Sequence, residues 1–79
     1  MTLDGFEHEK PARIVAVDWA RLADDEGKRL KALGVDEGAE VAVVHRGIFG
    51  TRDPLAIRIG RMTIALRRSH ALAIEVEPA

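Results

Sequence analysis

From Leu55 onward, apolar side chains recur at alternate positions: Leu55, Ile57 and Ile59, then Met62, Ile64 and Leu66, then Leu72, Ile74 and Val76. A period of two marks extended strands, because successive side chains leave a strand on opposite faces. The run Ala12 to Asp18 is β-branched and reads as an earlier strand, and Glu40 to Arg46 reads as another, apolar enough to be buried on much of both faces. That makes five short strands. The turns between them are written locally. Asp36-Glu37-Gly38 is a turn, and Gly60-Arg61, with glycine first, suits a type II′ hairpin. A loop bracketed by Gly47 and Gly50 runs to Pro54.

One segment has a helical character. Asp24-Asp25-Glu26 places carboxylates where a helix begins, with Asp24 or Asp25 as the cap, and Lys28, Arg29 and Lys31 follow toward the far end, the order a helix dipole favours. Leu30 and Leu33 form a short apolar stripe. Gly34 fits the left-handed ending, which would bring Val35 against Leu30. Residues 67–71 are too short for a crossover and have no hairpin glycine, so they are expected to form a single 3₁₀ turn.

The chain has 79 residues and no cysteine, so a disulfide framework and a thiolate metal site are both excluded. Five strands of this length cannot make two full sheets. Closure into a barrel removes exposed edges and enlarges the core. The expected fold is mainly β: a small five-stranded SH3-like barrel with one short α-helix, formed as one domain over residues 1–79. Asp4, Glu7 and Glu9 near the start are unlike a signal peptide, and no run approaches the roughly 20 apolar residues of a membrane span. A cytoplasmic protein with no direct membrane insertion is expected.

Twelve basic residues face thirteen acidic ones, for a net charge of -1, which disfavours bulk attraction to nucleic acid. The charge is unevenly placed. Between His45 and His70 stand Arg46, Arg52, Arg58, Arg61, Arg67 and Arg68, opposed only by Asp53. Arg67-Arg68-Ser69-His70 could grip an anion, but the aromatic residues Phe6, Trp19 and Phe49 are all distant from it in sequence, so no stacking platform accompanies it. A structural corner with a basic rim is the favoured reading, and nucleic acid is not expected as a partner.

His8, His45 and His70 are dispersed, with no HxH or HxxxH spacing. His45 and His70 are the candidates for a metal, and exposed histidines on strand and loop are the simpler reading. No nucleophile motif, phosphate loop or paired acids appear, so an enzyme is not expected. Ile48 and Phe49 are more informative: bulky apolar residues in a glycine-bounded loop either plug the barrel or meet a partner. Trp19 and Leu22, on the other long connection, would enlarge such a patch. Arg46, Arg52 and Arg61 would form its charged rim.

The ordered residues Gly34-Val35, Glu37-Gly38-Ala39-Glu40-Val41, Asp53-Pro54-Leu55, Gly60, Ala65-Leu66-Arg67-Arg68, Ala71 and Ile74-Glu75-Val76 resemble the pattern of FeoA-like domains. The resemblance runs from about Thr2 to Glu77. It implies an SH3-like barrel that serves ferrous iron uptake by docking on FeoB, a membrane iron transporter with a GTP-binding domain. Location would then be cytoplasmic, at the inner face of the membrane through that partner, with self-association left open. A similar domain ends some metal-dependent repressors, so a module that senses Fe2+ or another divalent transition metal is the alternative. The family pattern usually runs Gly directly into Asp-Pro, whereas Thr51-Arg52 stand between Gly50 and Asp53 here.

Overall fold

A computed structural model describes residues 1–46 and 54–79. Five antiparallel strands, β1 (Ala12–Val17), β2 (Glu40–Arg46), β3 (Leu55–Ile59), β4 (Met62–Leu66) and β5 (Ile74–Pro78), lie in the order β4-β3-β2-β1-β5. Two helices join them: α1 (Asp24–Ala32) and the one-turn α2 (Arg68–Ala71). The protein is mainly β, as the alternating pattern requires. Register shifts between Ile14 and Ala16 in β1, and between Val43 and His45 in β2, mark bulges. Bulges increase local twist and bend a sheet, which a small coiled sheet needs in order to enclose a core.

The core draws on every element. Ile14, Leu30, Val43, Leu55, Ile57 and Ile74 are among its buried side chains. Strand β3 buries Leu55, Ile57 and Ile59 on one face and exposes Arg58, the alternation read from sequence. Helix α1 ends as expected. Gly34 takes φ +97°, the Val35 N–H donates to the Leu30 carbonyl at 2.9 Å, and the Gly34 N–H donates to Lys31 at 3.1 Å. These are the two bonds of a Schellman ending, and Leu30 and Val35 are both fully buried beneath it. Gly60 has φ +59° while Arg61 stays on the ordinary side, the mark of a type II′ turn.

Several local expectations are corrected. The N-cap of α1 is Ala23, with no side-chain cap; Asp24 and Asp25 sit inside the first turn, and Asp25 Oδ1 accepts from the Glu26 N–H at 2.9 Å. There they still complement the dipole. Residues 68–71 form an α-turn rather than a 3₁₀ turn, and that turn takes Leu72 as its C-cap. Leu72 is therefore 39% exposed and does not join the inward row of β5. Met62, flanking the hairpin turn, is 43% exposed, and Leu66 carries the buried end of β4. The N-terminal 3₁₀ turn Leu3–Gly5 has no counterpart in the sequence reading, yet Leu3 and Phe6 belong to the core.

Candidate functional site

The structure re-pairs the histidines. The bulge in β2 leaves the Val44 carbonyl outside the ladder, and the His8 ring hydrogen-bonds to it through Nε2. The Glu9 N–H reaches the neighbouring Val43 carbonyl at 2.7 Å, with Glu9 at φ 62°. This holds the exposed His8 ring beside His45 on β2, with ring centroids 6.5 Å apart. His70, by contrast, lies on α2 against α1, its Nδ1 3.5 Å from Glu26 Oε1. His45 and His70 thus each have a different neighbour. Among the described residues no three histidine, cysteine or acidic side chains converge.

Glu26 is the electrostatic centre of the α1–α2 contact. Its Oε1 accepts from Arg29 Nη2 at 2.8 Å, with Nε a further 3.3 Å donor. That hydrogen bond is the main reason the Glu26 carboxyl is held below the ordinary glutamate range. Desolvation opposes it, and the charges of Arg29, His70 and Arg67 add to it. The His70 Nδ1 is buried without a hydrogen-bond partner, and 3.5 Å is too long for a good one. Beside it a groove of about 290 Å³ is lined by Glu26, Arg29, Pro54, Ala65, Arg67 and His70.

Trp19 opens a 3₁₀ turn, Trp19–Arg21, and lies half-buried on α1 beside Gly27, with the Lys31 amine 5.0 Å from its ring centroid. Leu22 is only 7% exposed and packs in the core, so its side chain offers little surface. Ile48, Phe49 and Arg52 fall within 47–53, outside the described residues, as does the Thr51-Arg52 departure. Arg68, at the basic corner, has its Nε 3.2 Å from Oδ2 of the buried Asp4. That pair ties the N-terminal turn to α2. In the sequence Asp4 counts only as one of the acids near the start; its contact with Arg68 depends on the fold.

A short antiparallel sheet with one main helix defines a small, mainly β domain. The family model for the FeoA domain matches residues 1–78, and the chain belongs to the FeoA family. A FeoA from Stenotrophomonas maltophilia complexed with zinc, described as a procaryotic SH3 domain protein and a candidate ferrous iron transport activating factor, is 32% identical. Its TM-score is 0.80, with 98% of this chain and 89% of that one covered. The FeoA protein of Chlorobium tepidum is 26% identical with a TM-score of 0.83, over 99% of this chain and 70% of that one. A manganese-dependent transcriptional repressor shares the fold, with a TM-score of 0.81 at 16% identity, over 100% of this chain and 41% of that one. No curated protein matches the chain.

Proposed function

We propose that this chain is a non-enzymatic accessory protein of ferrous iron uptake, acting as a single domain that docks on the cytoplasmic GTP-binding domain of a FeoB-type transporter. The observation that carries this reading is the FeoA family match over residues 1–78. The likeness to the zinc-complexed FeoA described as a candidate transport activating factor supports it. On this reading the protein works in the cytoplasm, held at the membrane face by its partner. Among the described residues no helix is long and apolar enough to cross a membrane.

On this reading the docking anchor is Ile48-Phe49 with Arg52, in the sequence between β2 and β3, where bulky apolar residues beside arginines have the chemistry of an interface core and its rim. The Trp19–Leu22 connection is the second candidate, with Trp19 supplying its surface. A pull-down from cytoplasm and membrane with the tagged chain tests the partner, and recovery of the FeoB-type transporter is the expected result. Recovery of other proteins alone would remove this reading.

A metal-responsive role is the second reading, favoured by the metal-dependent repressor that shares the fold. Iron would then be a ligand sensed through His45 or His70 rather than a cargo handled by the transporter. Calorimetry with ferrous iron in the absence of oxygen separates the readings, since a docking protein gives no saturable heat.

A further inference from the structure

The two edges of the sheet are treated differently. Along β5 the N-terminus forms a cover: Thr2 bridges Glu75, and the Val76 N–H donates to the Met1 carbonyl at 2.8 Å. Strand β4 pairs with β3 alone, and no further backbone hydrogen bond reaches Met62–Leu66 among the described residues. The hairpin determines which groups are left open. In a two-residue type II′ turn the flanking pair, here Ile59 and Met62, exchanges hydrogen bonds. Alternation then makes Ile57–Ile64 and Leu55–Leu66 the bonded pairs, and turns the N–H and C=O of Thr63 and Ala65 away from β3. Both residues are exposed, and both are small. This edge has the form that accepts another strand.

Charge indicates which strand. From Pro54 to Arg68 there are four arginines and no acid. Arg61 stands at one end of β4 and Arg67 at the other, and neither is in an ion pair among the described residues. A second copy is disfavoured. Antiparallel pairing centred on Ile64 would set Arg61 of one copy opposite Arg67 of the other, and like charges placed opposite are destabilising. An acidic strand has the reverse property, with carboxylates meeting both guanidinium groups.

We propose that β4 is a docking edge for an extended acidic segment of a partner protein, which adds as a further strand through the backbone of Thr63 and Ala65 and is held at its ends by Arg61 and Arg67. The groove beyond Ala65 and Arg67 carries Glu26 paired with Arg29, so the acidic residues of the segment are held at Arg61 and Arg67 and not in that groove. This rests on the sheet edge and not on the partner's identity, so it stands or falls separately from the transporter reading.

The test is an amide-resolved titration of the chain with a blocked seven-residue peptide carrying two acidic residues on each side of a Val-Thr-Val centre. Shifts centred on Thr63 and Ala65, with slowed amide exchange at both, are expected. The double variant Arg61→Glu, Arg67→Glu should weaken binding at least about tenfold while its melting temperature stays near that of the parent. Should that variant fail to fold, N-methylation of alternate peptide nitrogens gives an independent test, and it should abolish the same shifts. The edge is ruled out by an absence of shifts at millimolar peptide, by shifts that survive backbone methylation, or by equal binding of a peptide with lysines in place of its acids. Shifts at Thr63 and Ala65 on raising protein concentration alone would assign the edge to a second copy and also overturn the proposal.

Discussion

The hydrogen bond from Arg29 is the main cause that holds the Glu26 carboxyl below the ordinary glutamate range, against the opposing effect of burial. A depressed carboxylate stabilises the fold above its unfolded-state pKa, and that contribution is lost as pH falls through the folded value. Glu26→Gln should therefore lower stability at neutral pH. Because Arg29 is about half exposed, with 47% of its side chain accessible, the cost should stay below about 1 kcal/mol. The difference from the parent should vanish in acid, once Glu26 is protonated in both states. Denaturant melts of the two proteins across pH 3–7 check this, and a gap that persists at the acid end would mean that packing, not charge, carries the effect. The sequence placed Glu26 and Arg29 at the acidic start and basic end of α1, and the helix brings them together at i,i+3. The Asp4–Arg68 contact was not legible, since the two are 64 residues apart and only the fold brings them together. The same holds for His8 and His45, whose proximity depends on a bulge that no local pattern announces.

At the scale of elements, α1 was readable because several signals agreed. The acids lead, the bases follow, and Gly34 stands where a left-handed residue is required. Only its first residue was misplaced, since acids near a helix start suit the cap and the first turn alike. The strands kept their parity wherever the pattern was interrupted by glycine, as at Gly60. Parity failed at Leu72, where a one-turn helix claims a residue that alternation alone would assign to the next strand. Met62 has the right parity but sits beside the turn, where the core no longer covers it. Leu30 tests the docking of α1. Its side chain is completely buried, and truncation to alanine should cost about 2–5 kcal/mol by removing apolar contacts and leaving a cavity. Chemical denaturation measures this directly; a loss under about 0.5 kcal/mol would show that the helix does not pack on the sheet.

The whole molecule explains why the N-terminus could not be read. A 79-residue chain buries only about two-thirds of its unfolded surface, so a five-stranded core benefits from any apolar cover available. Leu3 and Phe6 supply it from a three-residue turn, too short to have a period. The five strands and the family were legible because strand alternation and the ordered motifs span the chain. A binding surface has no such pattern; it is assembled from residues that are distant in sequence. For the proposed docking segment the sequence supplies only chemistry: two bulky apolar residues between glycines, with arginines on either side. The most direct measurement of its role is a binding titration of the chain against the cytoplasmic GTP-binding domain of the FeoB-type transporter from the same cell, repeated with Phe49→Ala. The prediction is saturable binding by the parent, weakened about 5- to 150-fold in the variant, with little change in melting temperature. Absence of binding by the parent, or undiminished binding by Phe49→Ala, would contradict docking through this loop.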